Sequence, residues 1–252
     1  MTRLALLALL IGPLAAGAAA QDARQIVQES QKRGEAKSER YEGRLQVFEA
    51  GKTITEKRWQ YERLGSYGNS QSVLRFTAPP EVKGVALLVI NHADRASDQW
   101  MWTPAIGRER RIALQDRSTR FFGTDFSFED LEERDVDQFD FKLLGEEAVD
   151  GVACWRIESR PRKTKSSQYT QSVIWVRQTD YVPARLDAYI KDQVVRRLHY
   201  SRIEKIQGIW TARTLEMADL RRKSRTVLEL DQLEFNVPMK AEDFTVPGLK
   251  RE

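Results

Sequence analysis

Ile209-Trp210-Thr211-Ala212-Arg213-Thr214-Leu215-Glu216-Met217 decides how this chain is read. Ile209, Thr211, Arg213, Leu215 and Met217 fall on one side of an extended backbone; Trp210, Ala212, Thr214 and Glu216 fall on the other. Alternation with period two predicts an antiparallel strand with one solvated face. Gln207-Gly208 just before it carries the chemistry of a turn, and Val194–Ile206 before that predicts its hairpin partner. Working outward, Ala153–Arg160 and Tyr169–Arg177 place Trp155 and Trp175 among polar neighbours in the same manner. Further strands are expected at Glu39–Ala50, Thr53–Leu64, Gln71–Thr77, Val85–Asn91, Gln99–Thr103, Phe139–Glu146, Ala184–Ile190 and Arg225–Phe235. Turn signals such as Ala50-Gly51-Lys52, Asp150-Gly151 and Thr179-Asp180 separate them. So many hairpin-linked strands, with no Pro/Ser-rich linker and no internal repeat, predict one large curved sheet or open barrel.

Two segments depart from this pattern. Asp22–Lys37 predicts a helix, with Asp22 as its cap, Ala23, Ile26 and Val27 on one face and Gly34 near its end. Ser118–Arg134 interrupts the strands. Ser127 and Asp130 have the spacing of a capping box, and Phe126 and Leu131 that of a hydrophobic staple. A loop with a short helix, rich in aromatics and inserted in a curved sheet, is expected to act as a lid.

Met1–Ala20 has the plan of a secretory signal: Arg3, an apolar centre from Leu4 to Leu14, and the small residues Ala18-Ala19-Ala20 before polar Gln21-Asp22. Gly12 and Pro13 break an apolar run already short of the roughly 20 residues of a membrane span. The expected organisation is therefore a signal peptide at 1–20 and a single exported, soluble domain at 21–252. Gln21 rather than Cys follows the expected cut, so no lipid is expected there.

The 252 residues carry 41 Lys+Arg against 37 Asp+Glu, a net charge of +4, which does not favour a nucleic-acid binder. With 41% hydrophobic and 31% charged residues a packed core is expected. One cysteine, Cys154, excludes an internal disulfide and a cysteine-cluster metal site. Cys154 beside Trp155 reads as a small core residue, and His92 and His199 as ordinary strand or turn residues. The Gly51-Lys52-Thr53 echo of a phosphate loop lacks its earlier glycine, Gln46 standing there. Dinucleotide, zinc-protease and serine-hydrolase signatures are absent from the sequence. No enzyme activity, no cofactor and no metal site is expected.

The acidic run Asp125, Glu129, Asp130, Glu132, Glu133, Asp135, Asp137 and Asp140 reads as a solvated helix face in preference to a catalytic carboxylate pair. Arg108, Arg110, Arg111, Arg117 and Arg120 precede it. They either pair with those acids or form a surface for a charged partner or lipid headgroup, for which Arg108, Arg110 and Arg111 are the candidates. Arg160–Lys165 and Arg221–Arg225 read as solvated hairpin turns. The aromatic content is harder to absorb into a core, because a large curved sheet with few helices does not easily fill its concave side. Wide barrels leave a ligand cavity for that reason. Candidate cavity and lid residues are Trp59, Leu87, Trp100, Trp102, Phe121, Phe122, Phe126, Phe128, Leu131, Trp155 and Trp175.

Several stretches resemble the bacterial outer-membrane lipoprotein-sorting protein family, a LolA-like group. They are Phe76-Thr77-Ala78-Pro79-Pro80, Lys83-Gly84-Val85-Ala86-Leu87-Leu88 and Asp98-Gln99-Trp100-Met101-Trp102-Thr103-Pro104-Ala105. Arg108-Glu109-Arg110-Arg111-Ile112 and Phe122-Gly123-Thr124-Asp125-Phe126-Ser127-Phe128-Glu129-Asp130-Leu131 belong with them. The likeness is strongest over 70–135. It implies a mainly β fold, an unclosed antiparallel β-barrel of about eleven strands with an N-terminal helix and a helical lid. It also implies a periplasmic carrier whose hydrophobic cavity takes acyl chains of lipids or lipoproteins between envelope membranes, a chaperone-like role with transient membrane contact. Such proteins often accompany RND-type membrane exporters, which makes one an expected partner. The competing reading is a lipid-sensing signalling or transporter-accessory protein that binds a membrane partner.

Overall fold

The computed structural model describes residues 22–163 and 165–251; the signal segment 1–20 and its cleavage point lie outside them. Helix α1 (Ala23–Arg33) leads into two meanders. The first comprises β1 (Ser38–Glu49), β2 (Lys52–Leu64), β3 (Gln71–Ala78), β4 (Ala86–Ile90), β5 (Asp98–Thr103) and β6 (Arg108–Arg111). The second comprises β7 (Phe139–Val149), β8 (Val152–Pro161), β9 (Gln171–Arg177), β10 (Pro183–Ile190), β11 (Gln193–Ile206), β12 (Ile209–Asp219) and β13 (Ser224–Phe235). Last and first strands join the meanders, Leu45 facing Leu228 across the β1–β13 ladder.

The result is one antiparallel sheet of thirteen strands with free edges at β6 and β7, an open barrel. Thirteen strands exceed the roughly eleven that the resemblance implies, and are one more than the twelve segments read from the residues. The unforeseen strand is β6, whose Arg-Glu-Arg-Arg has no apolar alternation and which is strand only because its backbone completes a ladder with β5.

Helix α1 is shorter than expected. Asp22 caps it, accepting from the Arg24 N–H, and Ala23, Ile26 and Val27 are buried. Gly34 closes it, its N–H bonding to Ser30 and Gln31 carbonyls, so 35–37 lead into β1 instead of continuing the helix.

The strand pleat sorts the core onto two faces. In β4, Leu87 and Val89 join Trp59, Leu74, Phe76 and Leu228 on the concave side. Ala86 and Leu88 join Trp100 and Trp102 on the convex side, covered by Phe244 and Leu249 of the C-terminal turns Ala241–Phe244 and Pro247–Lys250. Topology then dictates the lid. Nearly every connection within the meanders joins neighbouring strands, whereas residues 112–138 must travel from edge β6 to edge β7 and so cross the concave side.

Candidate functional site

The crossing segment is short on regular structure and dense in side-chain bonds. Ser127 and Asp130 form the expected reciprocal box: the Ser127 N–H donates to Asp130 Oδ2 at 2.7 Å, and the Asp130 N–H to Ser127 Oγ at 3.4 Å. It initiates only one 3-10 turn, Glu129–Leu131, where a helix was expected. At the tip Phe122 and Gly123 adopt left-handed φ angles of 45° and 76°. This reversal drives Asp125 into the sheet, fully buried, where it accepts from Ser224 Oγ at 2.5 Å and Thr226 Oγ1 at 2.7 Å.

The acidic run is not a solvated face. Glu132 accepts from Arg117 at 2.7 Å, from Lys165 Nζ at 2.7 Å and from Gln99 Nε2 at 3.0 Å, and its side chain is 3% exposed. Asp130 takes Arg196 of β11 and the Tyr169 hydroxyl. Glu133 takes Ser70 and lies 3.5 Å from Arg63 of β2, which also binds Glu39 at 2.8 Å. Glu129 accepts from Ser167 Oγ and the Gln168 N–H. Lys165, expected in a solvated turn, is thus buried, and 165–169 form a strap over the lid. Burial, opposed by these hydrogen bonds and by Arg63, pushes the Glu129 and Glu133 carboxyls above the usual range. Within this run Asp137 and Asp140 are exposed.

Under the lid lie two cavities. The larger, about 400 Å³, is lined by Trp59, Leu74, Leu87, Val89, Leu228 and Leu230 of the sheet, with Phe126 and Leu131 of the lid above. The smaller, about 270 Å³, opens between α1 and β7–β12 onto Val27, Phe141, Ile174, Val176 and Met217. Ser30, Tyr67, Asp130, Pro183, Leu198 and Tyr200 border both, so the two are compartments of one concave space. The space is not purely apolar. Arg63, Glu39 and Glu133 touch the larger compartment beside Tyr41, Tyr61 and Tyr67, and Arg134 touches the smaller. Burial pushes the Tyr200 hydroxyl up to about 12 and raises Tyr41, Tyr61 and Tyr67 likewise. These hydroxyls are neutral donors at any physiological pH. The Trp59 Nε1–H is buried against Gly43 of the neighbouring strand and acts on the Tyr41 hydroxyl.

Of the residues expected at a cavity or lid, Trp59, Leu87, Phe126 and Leu131 line the larger compartment. Phe121, Phe122 and Phe128 belong to the lid but pack into the core beside it, Phe121 stacking on Phe76 with ring centroids 5.5 Å apart. Trp155 packs beside the smaller compartment, against Tyr181 and the α1 cluster. Trp100, Trp102 and Trp175 line neither. Trp100 and Trp102 pair with Leu88 and Ala86 on the convex face, and Trp175 packs with Cys154, Val173 and Ala184. Period two places a tryptophan on a face but does not say which face is hollow. Sequence reasoning missed the polar half of the site, Arg63, Tyr61, Tyr67 and Tyr200, which alternation alone marks as ordinary strand or turn residues. Arg111 pairs with Asp98, while Arg108 and Arg110 are exposed on β6.

Cys154 is fully buried, its thiol donates to the Val152 carbonyl, and burial pushes its pKa up, the opposite of an activated nucleophile. His92 and His199 each hold an aspartate, Asp98 and Asp150. Among the described residues no three His, Cys, Asp or Glu side chains converge as a metal site, and no helix is long and apolar enough to cross a membrane.

A family model described as "Uncharacterized protein" matches residues 68–251. No curated protein matches the sequence. Among solved structures, a domain described as an outer membrane lipoprotein-sorting protein from Vibrio parahaemolyticus is 26% identical, with a TM-score of 0.86 over 91% of this chain and 98% of its own. A DUF1329 family protein from Desulfovibrio piger is 29% identical, with a TM-score of 0.86 over 90% of this chain and 97% of its own. A LolA superfamily protein from Nitrosomonas europaea, at 19% identity and a TM-score of 0.70 over 90% and 98%, shares the fold. None of these three descriptions names an enzymatic activity. With its open sheet, its crossing lid and the hollow beneath, the chain belongs to the LolA-like outer-membrane lipoprotein-sorting family.

Proposed function

We propose that the protein, a single domain freed of Met1–Ala20 on export, carries acyl chains of a lipid or lipoprotein through the periplasm between envelope membranes. The observation that carries this reading is the two-compartment hollow between lid and sheet, apolar on its sheet wall and polar along one side. That division suits an amphiphile. Chain methylenes gain about 0.8 kcal/mol each on leaving water, so several against Leu74, Leu87, Val89 and Leu228 give useful affinity without specific chemistry. Ester or amide carbonyls and hydroxyls of such a ligand suit the tyrosine side, whose neutral hydroxyls donate. Trp59, Leu87, Phe126 and Leu131 contact the chain, and the remaining lid phenylalanines seat the lid. An RND-type exporter is the expected membrane partner.

Mass spectrometry of the mature chain, made in a bacterial periplasm without detergent and compared native against denatured, tests this directly. A stoichiometric lipid is the expected result, and an acylated protein would narrow the cargo to lipoproteins. Phe126→Asp puts a carboxylate over the larger compartment and should empty it while the sheet stays folded. A wild-type chain that is clean, empty and stable would overturn the carrier reading in favour of partner binding.

A further inference from the structure

One end of the sheet plays no part in the cavity and has a surface of its own. The β1–β2 and β12–β13 hairpins turn side by side there, because Glu49 is paired with Ser224. The first turns at Ala50 and Gly51, with φ of 49° and 76°, a two-residue reversal that places Lys52 beside it. The second is held by Asp219, whose Oδ1 accepts from the Arg221 and Arg222 N–H groups at 3.1 and 3.0 Å. Both loops are therefore pre-shaped, and they bring Lys52, Arg221, Arg222 and Lys223 to one surface, with Arg225 beside them paired to Glu216 at 2.6 Å. Asp219 is buried, and Glu49 answers Arg222 at 3.1 Å.

Apolar side chains project among these charges. Leu220 at the tip of the second loop is 42% exposed, and Ile54, two residues beyond Lys52, is 54% exposed. A groove of about 340 Å³ runs between the loops past Phe48, Gly51, Leu220 and Lys223, with the Arg225 guanidinium 4.3 Å above the Phe48 ring. A nucleic acid would want exposed aromatic faces, and the one aromatic lining this groove lies beneath Arg225.

We propose that this hairpin pair docks on an anionic phospholipid surface. Leu220 and Ile54 enter the boundary between headgroups and acyl chains, while Lys52, Arg221, Arg222 and Lys223 meet lipid phosphates. The placement has a mechanical corollary. Ser224 and Thr226, the first and third residues of β13 after the docking loop, are the two that hold Asp125 of the lid tip. The docked end is thus also the end where the lid tip is anchored.

Co-sedimentation of the mature full-length chain with phosphatidylcholine vesicles, plain or with about a third phosphatidylglycerol, tests the proposal. Binding is expected on the phosphatidylglycerol vesicles alone, weakening as salt is raised. Arg221→Gln with Lys223→Asn should lower the partition coefficient about 25-fold, roughly fivefold per cation. Leu220→Ser should shorten residence at equal charge, with melting temperature unchanged in both variants. Equal binding to neutral vesicles, no binding, or binding indifferent to both variants would overturn the proposal; capture of an acidic protein without vesicle binding would reassign the surface. The substitutions leave the cavity intact, so retained cargo with lost docking, or the reverse, separates this surface from the carrier reading.

Discussion

The lid's acidic run and the β12–β13 hairpin's basic run look alike in sequence, each a dense cluster of one charge sign, and the structure treats them oppositely. Glu132 sits at the meeting of three donors, Asp125 is fully enclosed, and Asp130 and Glu133 each bind an arginine from a different strand. Arg221, Arg222 and Lys223 stand in solvent on a loop held by its own backbone. The difference lies in where the counter-charges are. The lid's partners are spread along the chain, from Arg63 through Arg117 and Lys165 to Arg196, and come together only when the sheet curves under the lid. The acids near the hairpin are local and already engaged, Asp219 with the loop's own N–H groups, Glu49 with Arg222 and Glu216 with Arg225. A charge run is solvated or buried according to what the fold carries to it.

The contrast breaks first at Glu132. Replacing it by Ala leaves Arg117 and Lys165, both nearly inaccessible, without their shared anion. A loss of roughly 3–5 kcal/mol in urea unfolding is expected, as for one side of a buried pair. A loss under about 1 kcal/mol would mean that the lid's polar contacts do little to hold the fold closed.

The second effect is pH dependence. Burial raises the Glu129 and Glu133 carboxyls above 4.5, so the folded chain binds protons there that the unfolded chain does not. That contribution favours folding at about pH 4.5 and fades as pH rises through the raised values. Asp98 and Asp187 act in the opposite sense. Burial opposes ionisation of each, but Arg95, Arg111 and His92 hold Asp98, and Arg197 and Arg185 hold Asp187, below the usual 3.8. Their stabilisation is present above that value and is lost as pH falls further. Melting temperature should therefore rise modestly from pH 7 towards 5 and fall below 4. Glu133→Gln should flatten the upper slope, and an unchanged slope would place its origin elsewhere.

The smallest effect sharpens the comparison from the hairpin side. Arg221→Ser should alter stability by less than about 0.5 kcal/mol, because the loop's hydrogen bonds use its N–H and not its guanidinium. A larger loss would show that this charge, like those of the lid, belongs to the fold.

Much of the architecture was legible because alternation is local. The strand segments, the N-terminal cap at Asp22 and the Ser127–Asp130 box all rest on neighbours within a few residues. What was illegible depends on distant closure. β6 is a strand only through β5, and the capping box starts a single turn because the crossing segment immediately bends to reach Gln99 and Arg117. The convex placement of Trp100, Trp102 and Trp175 follows from which face curls inward, a property of the whole sheet. The same holds for Arg63 and the tyrosines, whose sequence surroundings are those of any amphipathic strand.

Gly43 faces Trp59 across the β1–β2 ladder, and a β-carbon there would lie 2.1 Å from the indole nitrogen. The indole lies against bare backbone, so one missing methyl lets a tryptophan of the cavity wall recline instead of standing upright. The width of the larger compartment is therefore gauged by hydrogen at a single position. Gly43→Ala would remove no side chain from the compartment's lining, yet it would tip the indole inward and narrow the space, a calibration of width made from behind the wall.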